Sequence, residues 1–213
     1  MAIRVFVADD HPILRDGLAR VLESSANIRV VGAAENGRIA VRQALHLRPD
    51  VVILDISMPD MNGIEAARQL REREPKIHIL ILSMHMTPEH VFQALEAGVH
   101  GYVLKASVSQ DIIQAVVAVH AGRRFLSPAV AEVVAEQIGR RSEVSPIELL
   151  SRREREVLQL VAEGHSSAEV GKVLSLSPKT VDTYRSRLMQ KLHLRDVPAI
   201  VRFAIQNGLI SLS

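Results

Sequence analysis

Val51-Val52-Ile53-Leu54-Asp55-Ile56-Ser57-Met58-Pro59-Asp60-Met61-Asn62-Gly63 is the stretch on which the fold turns. Four apolar residues, three of them β-branched, run uninterrupted into a carboxylate, and a turn-forming segment with Pro and Asn follows. A strand without polar alternation is buried on both faces, the habit of parallel sheets held between two helical layers. Residues 63–73 then repeat apolar side chains at helical spacing, so the stretch reads as strand, loop and helix in succession.

The same unit recurs on either side. Further β-branched runs lie at 3–8, 28–34, 77–82 and 101–104. Amphipathic segments separate them at 12–22 (Leu14, Leu18, Val21 and Leu22 on one face), 37–47, 88–97 and 110–121. This alternation predicts a flavodoxin-like doubly wound parallel sheet, an α/β domain, over residues 1–122.

Beyond Gly122 no further strand is expected. Residues 128–138 read as a helix and 139–146 as a mobile linker, so 123–147 form a helical linker. Residues 148–213 read as a small all-α domain. Ser151 opens its first helix, with Glu154 at the capping-box position and Gly164 as the stop. Ser166 or Ser167 opens a second helix to Leu174, and Ser177-Pro178 a third to about Leu192, with Pro at the first helical position. Asp196 or Pro198 opens a fourth that ends near Asn207-Gly208.

The 213 residues, 47% hydrophobic and 23% charged, suffice for two small cores. The absence of Cys excludes disulfides, thiolate zinc sites and cysteine nucleophiles. The short apolar N-terminal run ends in Asp9-Asp10, unlike a secretory signal, and no stretch nears the ~20 apolar residues of a membrane span. A cytoplasmic protein without membrane association is expected. The net charge is only +2, but its distribution is uneven. Residues 1–125 carry 14 basic and 14 acidic side chains, whereas 151–213 carry ten basic and six acidic, which points the C-terminal domain toward a polyanion.

Ligands of a doubly wound sheet bind beyond the carboxyl ends of its strands, near the switch point. Asp9 and Asp10 close the first strand, Asp55 the third, Ser83 the fourth and Lys105 the fifth. In the order 2-1-3-4-5 these ends are neighbours, and their side chains converge. Clustered carboxylates repel one another unless a cation lies among them, and an all-oxygen donor set suits Mg²⁺. A carboxylate is also a nucleophile toward phosphorus, with Lys105 and Ser83 placed to meet phosphoryl oxygens. Singly, Asp9 or Asp10 could instead N-cap the helix at Pro12, and Asp55 could open a turn. The joint placement at strand ends favours the site.

In the third helix of the second domain, Val181, Leu188 and Leu192 share one stripe. The opposite side presents Lys179, Asp182, Thr183, Ser186, Arg187 and Gln190, with Arg185 and Lys191 at its edges. A short helix, a tight Ser-Leu-Ser-Pro turn and a longer polar-faced helix fit a helix-turn-helix that enters the major groove. A solvated surface helix would carry similar charge. No dinucleotide fingerprint, nucleophile elbow or P-loop occurs to support an enzyme; Gly164 to Gly171-Lys172 only imitates a P-loop, and His85 and His90 lack zinc-ligand spacing.

Asp9-Asp10-His11, the stretch 54–63 and Gly101-Tyr102-Val103-Leu104-Lys105-Ala106 resemble the receiver domains of two-component response regulators. That resemblance implies a phosphoacceptor at Asp55. It implies Mg²⁺ held by Asp10, Asp55 and the carbonyl of Ser57, with Asp9 assisting through water. Ser83 and Tyr102 match the family's switch pair, and Met84 is bulkier than the usual neighbour of the switch hydroxyl. Ser57 and His85, two residues past Asp55 and Ser83, would flank the line of water attack on an aspartyl phosphate.

Leu150-Ser151-Arg152-Arg153-Glu154-Arg155-Glu156-Val157-Leu158 and the segment 176–187 with Lys191-Leu192 resemble the LuxR-type helix-turn-helix. The segment 166–171 departs from that pattern, which often carries Asn and Lys there. Together the two resemblances are those of the NarL/FixJ family and span essentially the whole chain. They imply a sensor histidine kinase and double-stranded DNA as partners and a homodimer on phosphorylation. The implied DNA-contacting residues are Lys179, Thr180, Asp182, Thr183, Arg185, Ser186, Arg187 and Lys191. A regulator that binds DNA independently of phosphorylation, with a vestigial receiver, is the alternative.

Overall fold

The computed structural model describes residues 2–84, 86–137 and 146–210, save the side chains of 109 and 110. The chain forms two compact units, Met1–Arg141 and Ser142–Ser213. The linker expected at 139–146 lies outside the described residues up to Ser145, and Pro146 begins a 3-10 turn.

In the first unit, β1 (Ile3–Ala8), β2 (Ile28–Ala34), β3 (Val51–Asp55), β4 (His78–Ser83) and β5 (Gly101–Leu104) alternate with α1 (Pro12–Glu23), α2 (Gly37–Leu47), α3 (Gly63–Arg73), α4 (Pro88–Glu96) and α5 (Val108–His120). A two-residue β6 (Phe125–Leu126) and α6 (Pro128–Gln137) follow. All strand pairs are parallel, in the order β2-β1-β3-β4-β5-β6. Alternate strand residues serve alternate faces, as the two-residue period requires. Phe6, Val52, Leu54, Ile79, Ile81 and Tyr102 join the core with α2, α3 and α4. Val5, Val7, Ile53, Leu80, Leu82 and Val103 join the one with α1 and α5.

The expectation that strands end at Gly122 is corrected here. Phe125 and Leu126 pair with Gly101 and Tyr102, because the exposed edge of β5 offers backbone groups that any short extended segment can satisfy. Two residues have no periodicity to read, so this strand exists only through its partner. Nor does α6 stand apart as a connector: Val130 is fully buried in the same cluster as Tyr102, with Val133 and Val134 packed against it. The α3 start also depends on Gly63, where any Cβ would collide with the carbonyl oxygen of Asp55.

The second unit holds α7 (Arg152–Ala162), α8 (Ser167–Leu174), α9 (Pro178–Lys191) and α10 (Val197–Gln206). Capping sets their starts. Ser151 and Ser166 each form a full capping box with Glu154 and Glu169, while Ser177 and Asp196 accept from the backbone N–H of Thr180 and Ala199. Ser166 and Asp196 are thus the openers, rather than Ser167 and Pro198. Val157, Leu160, Val170, Leu174, Val181, Leu188, Ile200 and Ala204 make the core. Between α8 and α9 the chain turns sharply through Ser175, in the left-handed region at φ 56°. Gly171 permits that turn, since a Cβ there would lie 2.6 Å from the carbonyl oxygen of Leu176.

At the amino ends of β4 and β5 the rings of His78 and His100 meet edge to face, with centroids 4.8 Å apart. The N–H of Ile79 donates to His100 Nδ1 at 3.1 Å, so that nitrogen carries no proton. Burial, with His78, Arg71 and Arg124 adding to it, lowers the His100 pKa to about 4. The unfolded chain therefore takes up a proton below its ordinary value of about 6.5, and the folded chain does so only near 4. Stability supplied by the neutral ring is present above 6.5 and is lost as pH falls through that window. His100→Asn should flatten the pH dependence of the urea midpoint between these two values; an unchanged slope would contradict the assignment.

Candidate functional site

The carboxyl ends of β1, β3, β4 and β5 bring together the residues expected there. Asp9 and Asp55 are buried, and Asp10 is half-exposed. The buried Lys105 ammonium lies 2.8 Å from Asp9 Oδ2 and 2.9 Å from Asp55 Oδ2. Asp9 does not cap α1: its Oδ1 accepts from the N–H of His11 at 2.9 Å, and the N-cap residue is His11, without a side-chain bond. Asp9 therefore shapes the loop that presents Asp10. Asp9, Asp10, His11 and Asp55 offer ligand atoms all within 4.8 Å of one another, a cluster that could hold a metal ion. His11, to which residue order alone gives no role, places its Nδ1 2.8 Å from Asp10 Oδ1.

Charge balance in this cluster is poor. Burial pushes the Asp55 carboxyl up to about 6; Lys105 opposes the rise, while Asp9 and Asp10 add to it. For Lys105, burial alone would lower the pKa, but Asp55 and Asp9 outweigh it and raise it. One ammonium faces three carboxylates, which leaves a site suited to a further cation.

Ser83 and Tyr102 are both buried, and their side chains hydrogen-bond to each other. Burial pushes the Tyr102 hydroxyl up to about 12, with the Ser83 bond opposing, so it stays neutral. Ser57, in the loop after β3, is half-buried, and among the described residues no backbone hydrogen bond occupies its carbonyl oxygen. His85 lies outside the described residues.

The polar side of α9 divides into two sets. Lys179, Thr183, Ser186 and Arg187 are exposed. Thr183 donates only to the carbonyl of Lys179 one turn earlier, and Thr180 bonds the Ser177 cap. Asp182 and Arg185 are instead engaged within the domain. Asp182 Oδ1 accepts from the Ser167 hydroxyl at 2.7 Å and pairs with Arg185 at 2.9 Å, while Arg185 also donates to Ser167 at 3.3 Å. Lys191 donates to Glu154 Oε2 at 2.7 Å and to the carbonyl of Leu149 at 3.2 Å. Burial would raise the Glu154 pKa, yet the Lys191 and Ser151 bonds hold it below the usual range. These links to α8 and α7 join residues 15 and 37 positions apart, and no local pattern announces them.

A doubly wound domain with an acidic strand-end cluster, followed by a helix-turn-helix, defines the class of response regulators. Residues 5–117 match the response regulator receiver domain, and residues 148–204 match the bacterial regulatory proteins of the luxR family. The response regulator protein VraR of Staphylococcus aureus is 35% identical over 210 residues, covering 99% of this chain and 100% of its own. The structure of the RcsB response regulator of Salmonella typhimurium aligns at a TM-score of 0.66 with 29% identity over 99% of each chain. A structure of two RcsB dimers bound to two parallel DNAs aligns at 0.62 with 28% identity, over 99% of this chain and 100% of that one. The chain belongs to the NarL/FixJ family of response regulators, with a receiver and a LuxR-type DNA-binding domain. Among its described residues no helix is long and apolar enough to cross a membrane.

The unbalanced cluster has a measurable cost. Asp55→Asn keeps the side-chain shape and removes one buried charge beside Asp9 and Asp10. In metal-free buffer near neutral pH the variant should unfold at higher temperature than the wild type. A lower Tm would mean that the Lys105 pairing outweighs burial and repulsion.

Proposed function

We propose that this chain takes a phosphoryl group onto Asp55 from a sensor histidine kinase and, so modified, pairs into a homodimer that reads double-stranded DNA in the cytoplasm. The observation that carries the reading is the Lys105 ammonium within 3 Å of both Asp55 and Asp9, in a pocket that Asp10 also lines. An Asp55 carboxylate oxygen attacks phosphorus, the P–N bond to the kinase's phosphohistidine breaks, and the freed imidazole nitrogen takes up a proton. The product is an acyl phosphate. Lys105 meets the charge of the phosphoryl oxygens, and the Ser83 hydroxyl donates to one of them. The donor set fits Mg²⁺: Asp10, Asp55 and the Ser57 carbonyl would hold it directly and Asp9 through water. Bound there, the ion supplies the positive charge that three carboxylates and a phosphoryl group require. Ser83, once drawn toward phosphate, releases Tyr102, and the pair biases a two-state equilibrium.

On the reader, exposure on α9 narrows the DNA-contacting set to Lys179, Thr183, Ser186 and Arg187. Arg187 grips phosphate, and Lys179, Thr183 and Ser186 meet base edges. Asp182, Arg185 and Lys191 hold α9 on α8 and α7, and so fix the angle at which the face is offered. A dimer reads two half-sites, as one helix makes few base contacts alone.

Two measurements test the reading. With Mg²⁺ and acetyl phosphate, intact mass should show one phosphoryl group on the wild type and none on Asp55→Ala; equal uptake by both sinks the assignment. For DNA, titrations of phosphorylated and unphosphorylated protein at several salt concentrations should give tighter operator binding in the phosphorylated state. Arg187→Ala should weaken binding to all sequences and reduce the salt slope by about 1, whereas Thr183→Ala should mainly relax sequence preference. Equal operator affinity in the two states would favour the alternative, a reader indifferent to its receiver.

A further inference from the structure

His11 stands closer to the acidic pocket than a bystander needs to. Its Nδ1 lies 2.8 Å from Asp10 Oδ1 and 3.3 Å from Asp9 Oδ1, so the ring edge faces two of the three carboxylates. One ligand atom from each of Asp9, Asp10, His11 and Asp55 falls within 4.8 Å of the others, a spread that a single ion can span. Of these four donors only the imidazole is nitrogen.

The ring is presented from a fixed backbone. The His11 N–H donates to Asp9 Oδ1 at 2.9 Å, and its carbonyl accepts from the N–H of Arg15 at 3.0 Å as α1 begins. Pro12, the next residue, opens the helix with its φ already set. The Arg15 guanidinium donates to the Asp9 carbonyl at 2.7 Å and braces the same loop. Only two side-chain torsions are then left to bring the ring to an ion. A neutral imidazole with its single proton on Nε2 leaves the Nδ1 lone pair for a ligand bond. The side chain is 67% exposed, so water can serve that proton.

Donor chemistry decides what such a site prefers. Carboxylate, carbonyl and water suit Mg²⁺, whereas imidazole suits the later divalent ions of the first transition row. A ring that merely donated Nδ1–H to Asp10 would orient that carboxylate for any cation and confer no such preference. We propose that His11 is a ligand of the cation site through Nδ1, so that the receiver favours a first-row transition ion such as Co²⁺ over Mg²⁺ by more than its carboxylates alone would. The proposal rests on the reading of the acidic pocket as a cation site and adds which cation the pocket selects.

The test uses the full chain and the divalent ions alone. Mn²⁺ serves as the paramagnetic probe: pulsed electron paramagnetic resonance of the loaded wild type should show the strong nitrogen coupling of a directly bound imidazole. Calorimetric titrations with Co²⁺ and with Mg²⁺ give the ratio of the two affinities. His11→Asn keeps a side chain that suits a helix start and can donate to Asp10, but it supplies no imidazole. In that variant the coupling should vanish and the preference for Co²⁺ over Mg²⁺ should fall by about tenfold or more. Mg²⁺ affinity should move far less, which also shows the pocket intact, and His11→Ala should behave alike. The wild-type coupling needs no variant, so the proposal stays testable even if a substitution unfolds the loop. Mn²⁺ bound to the wild type without nitrogen coupling, a coupling that survives in His11→Asn, or an unchanged ratio of Co²⁺ to Mg²⁺ affinity overturns the proposal alone. No saturable binding of any of the three ions by the wild type overturns the cation site and the proposal with it.

Discussion

The buried ammonium of Lys105 between Asp9 and Asp55 is the contact around which the receiver is organised. Its partners come from the ends of β1 and β3 and the cation from the end of β5, so the pairing is possible only when those strands are parallel and correctly registered. A cation at this depth is tolerable because it is paired, and the carboxylates are tolerable because it is there. With Asp10 as a third carboxylate, the pocket could hold a further cation, unlike a finished structural ion pair.

The strand that leads into Lys105 carries a second polar contact. β5 supplies Tyr102, which reaches Ser83 through its hydroxyl and β6 through its backbone. In the reader, polar contacts tie one helix to its neighbours. Asp182, Arg185 and Lys191 are committed to Ser167 and Glu154, which ties α9 to α8 and α7, while Lys179, Thr183, Ser186 and Arg187 remain exposed.

Much of this was legible from residue order. The helix starts at Ser151 and Ser177 followed directly, and those of the other two helices to within one or two residues, because a cap is satisfied by backbone groups two or three positions away. The convergence of Asp9, Asp10, Asp55 and Lys105 followed from strand ends in a fold whose strand order is constrained by its alternation. The uncertain reading of 123–137 had a physical cause. Phe125 and Leu126 form a strand only because β5 has an open edge, and Val130 looks like any helical apolar residue until α4 and Tyr102 surround it.

The sequence by itself determined the two-domain plan, the main strands and helices, and which chemical groups stand at the strand ends. Those depend on local periodicity and on contacts a few residues away, which residue order encodes directly. Only the tertiary structure decided which charges are spent and which are free. Arg185 and Arg187 differ in nothing but position along a helix, yet the first meets Ser167 of α8 while the second meets solvent. Such partners lie 15 or more residues apart, and their pairing depends on the crossing of helices, a property of the packed core rather than of any segment.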